Sequence, residues 1–302
     1  MLSFKDCVQF AEARDIVRFK GQHVRCDIRK FNLFGESEIT VTTGSEGRSV
    51  GLFRYSELVK NLVKRDFKVR YRNSVLGFLW ALFNPLAMMV ILTLVFSVLL
   101  KSSIENFPVF LLLGLLPWRF FTIGTSSAMW SIVGNPGLVT KVYFPREILV
   151  LSSNLANFIG IILEFAALFP LLLFLGVKVT WLVFLLPLVL AVEFLLVFGL
   201  SLALASLNIF YRDIGQLWEI ALQIGFFLTP IFYSATLIPK RYLQVYSLNP
   251  MMRVVELARK LLYYESLPTL EDAAVTFGAA LLFFAVGFIV FRVFEPRFAE
   301  EV

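Results

Sequence analysis

Charged side chains are scarce in this chain: only 17% of its 302 residues are Asp, Glu, Lys or Arg, while 58% are hydrophobic. A soluble domain of this length is about a quarter charged and less than half apolar, so much of this surface faces something other than water. The net charge of +6 arises before residue 75, where 15 Lys and Arg stand against nine Asp and Glu. Because the remaining residues are balanced, the charge does not indicate a nucleic-acid-binding protein.

Cysteine and histidine are nearly absent too. The chain has Cys7, Cys26 and His23, and it has neither a CxxC pattern nor an HExxH motif. Two cysteines without a secretory context do not indicate a disulfide, and no metal site is expected. No phosphate-binding loop GxxxxGK[ST] and no GxSxG motif occurs, so we expect a protein that is driven by a gradient or by a partner. The first fifty residues lack the apolar core of a signal peptide, and we expect the first span to serve as an uncleaved signal.

Long apolar runs dominate what is present. Each is close to the roughly 20 residues that a helix needs to cross about 30 Å of hydrocarbon, and none shows the alternation of a β-barrel strand. The runs predict an all-α integral membrane protein with six spans: Val75–Leu100, Phe107–Val133, Ile148–Leu175, Trp181–Leu207, Ile214–Tyr233 and Ala273–Phe291. Lys and Arg near the span ends predict that both termini lie in the cytoplasm.

The segments outside the spans have patterns of their own. Residues 55–72 alternate apolar and cationic positions at helical spacing, which predicts an amphipathic helix along the cytoplasmic membrane face. The connection 234–272 contains LNPMMRVVELARKLL, which predicts re-entrant or interfacial helices between spans five and six. Residues 54–302 thus form the membrane domain. Residues 1–53 form an extension of unassigned role, in which ESEITVTTGSEG suits a short strand or hairpin and the upstream FAEARDIVRFKGQHVRCDIRKF suits a strand or a ragged helix.

Arg119, Glu164 and Glu193 are ionisable residues at membrane depth within the predicted spans. Charges at this depth are costly and mark a transport pathway, a proton relay or a pair. The structural alternative is that each acid is neutral or is bonded to a neighbouring helix. Small residues four apart, at Gly199 and Ala203 and at Ala274 and Gly278, predict close helix contacts.

Several segments resemble the permease subunits of polysaccharide-exporting ABC transporters. They are KRDFKVRYRNSVLGFLWALFNPL at 64–86, GLLPWRFF at 114–121, NPGLVTKVYFPREIL at 135–149, NIFYRDI at 208–214, LTPIFYS at 228–234 and LNPMMRVVELAR at 248–259. They occur in order across residues 55–302, and the combination is specific although each piece alone is weak. The resemblance implies export of O-antigen, capsule or teichoic acid chains that are linked to polyprenyl diphosphate.

The resemblance also implies partners and a location. Two copies of the permease would associate with two copies of a separate cytoplasmic ATPase, which binds the ATP and Mg, while the permease itself is non-catalytic and holds no cofactor. The complex would lie in the cytoplasmic (inner) membrane.

Site residues follow from the matched motifs. Guanidinium groups match phosphate oxygens, so the diphosphate would be bound by Arg70 and Arg72. The translocation pathway would be lined by Trp80, Trp118, Arg119 and Phe121. Contact with the ATPase would be made by Asn135, Lys141, Tyr143, Pro145, Arg146, Glu147, Tyr211, Arg212 and Asp213. Alternatively, the cations near residue 70 only anchor the helix to anionic lipid, and Arg212 and Asp213 only cap a loop.

Two features depart from the family pattern. Arg119 stands where a small or neutral polar residue is expected, and residues 1–53 exceed the usual leader. A drug or small-lipid exporter with the same topology is the nearest alternative function. A polyprenyl-phosphate transferase is disfavoured because the loops are short.

Overall fold

The computed structural model describes residues 16–19, 22–27, 40–42, 55–71, 79–101, 103–141, 144–178, 180–239, 241–242, 246 and 248–301. The chain divides after residue 56 into two units, and each is described by itself.

The first unit contains a small antiparallel sheet. Its strands are β1 (Ile16–Phe19), β2 (Gln22–Asp27) and β3 (Thr40–Thr42), in the order β1-β2-β3. In the register, Val17 lies opposite Val24 and Cys26 opposite Val41. All three strands lie in the two segments for which a strand was considered from the sequence.

The second unit is helical throughout its described residues. Its helices are α1 (Ser56–Tyr71), α2 (Leu79–Thr93), α3 (Phe107–Met129), α4 (Pro136–Lys141), α5 (Glu147–Phe174), α6 (Leu186–Phe210), α7 (Ile214–Leu228), α8 (Pro250–Leu262), α9 (Leu270–Phe294) and α10 (Phe298–Glu301). A π-helix, Leu94–Leu99, extends α2, and 3-10 turns lie at Trp181–Leu185, Ala235–Leu237 and Glu295–Arg297.

Among the residues that the structure describes, five helices are long and apolar enough to cross a membrane: Leu79–Leu99, Phe107–Met129, Glu147–Phe174, Trp181–Phe210 and Leu270–Arg297. They correspond to the first, second, third, fourth and sixth predicted spans. The fifth predicted span, Ile214–Tyr233, contains the shorter helix α7 of 15 residues, which ends at Leu228. Thr229 takes an extended conformation, and Pro230 follows it.

Helix α1 is the segment predicted to be amphipathic. Leu62 is buried on one side, and Lys64 and Lys68 are exposed on the other. Near its start, Lys60 pairs with Glu57 one turn earlier at 2.9 Å, so the polar side is lined with paired and exposed charges.

Helix α3 is the centre of the second unit. It packs against α2, α5, α6, α7 and α8 and is the most buried of the five long apolar helices. Its first turn begins after Asn106, which takes a left-handed conformation and donates its side-chain amide to the carbonyl of Leu175. Pro108 occupies the first turn of the helix, where a missing N–H costs nothing. The remaining helices surround α3 and leave broad apolar surfaces exposed on their outer sides, as expected of helices that face lipid.

The closest contact between two long helices joins α6 to α9. A methyl group added at Gly287 would lie 1.8 Å from the carbonyl oxygen of Gly199, and one at Gly199 would lie 2.3 Å from the Cα of Phe284. The prediction of close contact is therefore confirmed for Gly199. The prediction of close contact is wrong for Gly278. A methyl group added there would have no described atom of another helix within 4 Å.

We expect Gly287→Ala to destabilise the protein by about 1–3 kcal/mol, because the new methyl group meets backbone that cannot rotate away. Thermal unfolding of the detergent-solubilised protein measures the change. Gly278→Ala is the matched control on the same helix and should unfold at the wild-type temperature or above it. Equal melting temperatures for the two variants would contradict the packing described for α6 and α9.

Candidate functional site

An ion pair lies at membrane depth where three spans meet. The Nε of Arg119 on α3 donates to Oε2 of Glu164 on α5 at 2.9 Å, and a terminal nitrogen of Arg119 donates to Oδ1 of Asn84 on α2 at 3.2 Å. Asn84 is the first residue of the Asn-Pro-Leu element in the first span. Glu164 is buried and Arg119 largely so, so each charge compensates the other where water is scarce. The prediction that an intramembrane acid bonds to a neighbouring helix is confirmed for Glu164.

Glu193 on α6 differs from Glu164. Its side chain is fully buried, and neither carboxylate oxygen has a hydrogen-bond partner among the described residues. Within the described part of the chain, Glu193 therefore makes no polar link between spans.

Amides and hydroxyls continue the polar contact along α5. The Nδ2 of Asn157 donates to Oγ of Ser127 on α3 at 2.6 Å, and Oγ of Ser201 on α6 donates to Oδ1 of Asn154 at 3.5 Å. Such bonds hold spans together where apolar packing gives no preference over lipid. One side of α3 is thus joined to α5 by a series of polar contacts.

The opposite side of α3 is apolar and borders a cavity of about 380 Å³. Aromatic rings from three helices face it: Trp118 and Phe121 of α3, Trp218 of α7 and Phe283 of α9. The other lining residues are Leu196, Leu200, Ala221, Leu222, Gly225, Leu228, Thr229, Tyr246, Asn249, Pro250 and Met251.

Within a single copy of the chain, the four residues predicted to line a translocation pathway do not lie on one common surface. Arg119 faces α5, whereas Trp118 and Phe121 face the cavity on the other side of α3. Trp80 lies at the start of α2, is exposed and packs edge-on against Phe83.

Three of the residues predicted to contact the ATPase are hydrogen-bonded to other helices. Asn135 accepts a hydrogen bond from Arg65 of α1 at 2.8 Å. Arg146 donates to the carbonyl of Glu295 at 2.8 Å, and Glu147 accepts from Arg292 of α9 at 2.9 Å. These side chains tie the segment between α3 and α5 to α1 and to the end of α9.

The turn between α6 and α7 is differently placed. Tyr211, Arg212 and Asp213 are all exposed. Asp213 is the N-cap residue of α7, but its side chain accepts no capping hydrogen bond. The alternative that Asp213 serves to cap the loop therefore has no support in this geometry.

The remaining predicted contacts lie partly outside the described residues. Arg72 and Tyr143 are among these, and only the backbone is described for Arg70 and Lys141. Pro145 is half buried just before α5.

A buried arginine joins three segments of the helical unit. Arg259 of α8 is fully buried, and its terminal nitrogens donate to the carbonyls of Pro230 and Ile231, each at 2.6 Å. The guanidinium also donates to the carbonyl of Phe110 at 3.3 Å and lies over the Phe110 ring at 3.5 Å. Gly114 leaves room for it, since an added methyl group would lie 2.9 Å from the guanidinium. One side chain thus joins α3, α8 and the segment that follows α7.

Arg259 keeps its charge in this position. A guanidinium is not deprotonated in proteins, so the side chain is a cation at neutral pH. Because its acceptors are mainly backbone carbonyls, the cation is compensated by hydrogen bonds, with Glu256 further away at 3.4 Å.

A profile of the ABC-2 type transporter family matches residues 57–263, which is more than half of the chain. The chain belongs to the ABC-2 type transporter family. The matched range runs from α1 to the end of α8 and includes the Arg119–Glu164 pair and Arg259.

This ABC-2 transporter aligns with most of the length of several relatives. The chain is 31% identical over 257 residues to the O-antigen export system permease protein RfbA of Myxococcus xanthus, and the alignment covers 83% of this chain and 97% of that protein. It is 27% identical over 246 residues to RfbA of Klebsiella pneumoniae, covering 81% and 94%. It is also 27% identical over 218 residues to the polysialic acid transport protein KpsM of Escherichia coli, covering 67% and 80%.

The role of Arg259 was missed by sequence reasoning. The helical spacing of residues 248–262 predicted that Arg259 lies among the polar residues of an interfacial helix. This prediction is wrong for Arg259, because its side chain is fully buried. A signal was present: Arg259 shares a helical face with Val255 and Leu262, four residues before it and three after, and both are buried. A cation on an apolar face indicates a buried, satisfied charge.

We expect Arg259→Lys to lower the free energy of unfolding by about 2 kcal/mol or more. The planar guanidinium carries five N–H donors, whereas a lysine ammonium is a compact charge that cannot replace it at all three carbonyls. Each buried acceptor left unpaired costs about 1–3 kcal/mol. Thermal unfolding in detergent measures the loss. Arg253→Lys, the same change on a half-buried position of α8, is the control and should have a much smaller effect. A wild-type melting temperature for Arg259→Lys would contradict the role assigned to this guanidinium.

Proposed function

We propose that this chain is the permease subunit of an ATP-driven exporter, which moves polysaccharide linked to polyprenyl diphosphate out of the cytoplasm. The observation that carries the proposal is the similarity to O-antigen export permeases over nearly their whole length. Similarity to a polysialic acid transport protein supports a polysaccharide substrate rather than a drug or a small lipid. The membrane would be the cytoplasmic (inner) membrane.

Six spans with both termini in the cytoplasm fit this function. At about 1.5 Å per residue, the 15 residues of α7 extend about 22 Å, less than the hydrocarbon thickness of about 30 Å. Residues 229–233 would complete the fifth crossing, and α8 would re-enter the outer leaflet beside α3. The hydrogen bonds from Arg259 to the carbonyls of Pro230 and Ile231 support this arrangement. These carbonyls lie outside a regular helix, and in a membrane each needs a hydrogen-bond donor from the protein.

Energy would come from a partner. The sequence contains no phosphate-binding loop, so two copies of this permease would associate with two ATPase subunits that bind ATP and Mg. The turn at Tyr211, Arg212 and Asp213 is the best candidate for direct contact with the ATPase, because all three residues are exposed. Residues 135–147 would make the other contact, with Lys141 and Tyr143 among the residues predicted for it.

The diphosphate headgroup would meet the protein at the end of α1. Lys64 and Lys68 are exposed there, and Arg70 and Arg72 follow them in the sequence. Guanidinium groups beside the first span would hold the diphosphate by paired hydrogen bonds before the glycan enters the pathway.

Deletion of the gene should cause lipid-linked polysaccharide to accumulate inside the cell, while the surface polysaccharide disappears. Extraction of polyprenyl-linked glycan, together with surface labelling, measures both quantities, and a plasmid copy of the gene should restore export. Loss of the lipid-linked glycan itself would instead indicate a transferase and would overturn the proposal.

We expect Arg212→Glu to weaken the association with the ATPase subunit, because reversing an exposed charge replaces an attraction by a repulsion at the contact. The measurement is co-purification of the ATPase with the tagged permease. Arg297→Glu is the matched control, since Arg297 is also exposed and lies beyond the end of α9. Equal co-purification of the two variants would remove this turn from the contact.

A further inference from the structure

We propose that a water molecule is bound at membrane depth between α3 and α5, where it links the Arg119–Glu164 ion pair to the amide of Asn157. The site is a small cavity on the side of α3 that faces α5. Its lining residues are Arg119, Phe120 and Ile123 of α3 and Asn157, Gly160, Ile161 and Glu164 of α5. The inference concerns how two spans are joined, and it does not rest on the proposed export function.

The cavity lies between two polar bonds that join the same pair of helices. Asn157 and Glu164 of α5 are seven residues apart, so they lie on one face of the helix, two turns from each other. Each is bonded to α3, Asn157 to Ser127 and Glu164 to Arg119. Gly160 lies between them on this face. Because Gly160 has no side chain, a space remains between the two bonds.

One wall of the cavity carries an acceptor without a protein donor. Asn157 is buried, and its Oδ1 accepts no hydrogen bond from any described residue. The orientation of the amide is fixed, because Nδ2 donates to the carbonyl of Ser153 at 2.9 Å and a carbonyl oxygen can only accept. A buried acceptor of this kind is costly unless a bound molecule donates to it, and buried water commonly does so.

The opposite wall carries the ion pair. The guanidinium of Arg119 has five N–H groups, and its bonds to Glu164 and Asn84 engage Nε and one terminal nitrogen. Arg119 and Glu164 both line the cavity. A buried water makes about three hydrogen bonds to groups of this kind. Here it accepts from Arg119 and donates to Glu164 and to Oδ1 of Asn157.

Size and charge select water over other ligands. The cavity volume is about 10 Å³, which is close to the minimum for one water molecule and too small for a sugar or a lipid headgroup. A metal cation would lie beside the guanidinium of Arg119, and an anion would lie beside the carboxylate of Glu164. Either ion would therefore meet a like charge, whereas a small neutral molecule that both donates and accepts fits the lining.

X-ray radiolysis of the full-length protein in lipid nanodiscs tests the site. A brief X-ray pulse converts water to hydroxyl radicals, which react with the nearest side chains. In water enriched in a heavy oxygen isotope, an aromatic ring that captures a radical gains that isotope, and peptide mass spectrometry detects it. We expect labelling of Phe120, a buried ring that lines the cavity, well above that of Phe165, a buried ring of α5 that is not among the lining residues.

Two substitutions remove the site in different ways. Asn157→Leu removes the acceptor with little change in side-chain size, and Gly160→Ala places a methyl group in the space between the two bonds. Each should lower the labelling of Phe120 to the level of Phe165. Asn154→Leu is the matched control, since Asn154 is a buried amide of the same helix that does not line the cavity. It should leave the labelling of Phe120 unchanged.

Each outcome decides for or against the site. Labelling of Phe120 that is lost in both cavity variants and kept in Asn154→Leu supports it. Wild-type labelling of Phe120 no greater than that of Phe165 would overturn it. Labelling that persists in a folded cavity variant, or that is lost equally in Asn154→Leu, would overturn it as well, because the radicals would then not come from this cavity. If Asn157→Leu does not fold, Gly160→Ala decides, since it removes none of the hydrogen-bonding groups.

Discussion

The scarcity of water inside a membrane is the constraint on which this structure depends. A polar group on a spanning helix must find its partner within the protein, and each unpaired group is costly. Arg259 shows the effect most fully, since its guanidinium is fully buried and donates to carbonyls of Phe110, Pro230 and Ile231. Because these carbonyls belong to different segments, the bonds that compensate the charge also fix α3, α8 and the end of α7 together.

The central helix α3 separates two kinds of contact. On one side, the Arg119–Glu164 ion pair and the Asn157–Ser127 hydrogen bond join it to α5, with Asn84 of α2 bonded to the same guanidinium. On the other side, Trp118 and Phe121 offer rings to α7 and the cavity, and Oγ1 of Thr125 accepts a hydrogen bond from the indole of Trp218 on α7. Directional polar bonds fix the distance and rotation of a helix. Both sides of α3 are therefore held by such bonds, and the charged one lies on the side that faces α5.

A second set of polar bonds links the segment between α3 and α5 to distant helices. The segment between α3 and α5 is bonded to α1 through Asn135 and to the end of α9 through Arg146 and Glu147. In the proposed exporter, a push by the ATPase on this segment would reach the amphipathic helix and the last span together. Phe298 reinforces the connection, because it is buried against the rings of Phe210 and Phe291.

The sequence by itself determined the class of protein and most of the helices. Apolar length identifies spanning helices wherever a run is long, because the bilayer imposes the same thickness on each, and five of the six predicted spans are found as long helices. The six motifs between residues 64 and 259 indicated the family in combination, although each alone was weak. Gly199 could be predicted as a contact residue, but its partner Gly287 could not, since spacing within a helix says nothing about which helix lies opposite.

Only the tertiary structure decided how the polar residues are used. Composition could not show that Arg119 and Trp118, adjacent in sequence, face opposite sides of α3, or that Arg146 and Glu147 bond to the end of α9. Nor could it show that Arg259 is buried. The physical reason is that an arginine looks the same in the sequence whether its side chain ends at the surface or in the core. Which position is stable depends on the carbonyls and carboxylates that distant segments of the chain bring next to it.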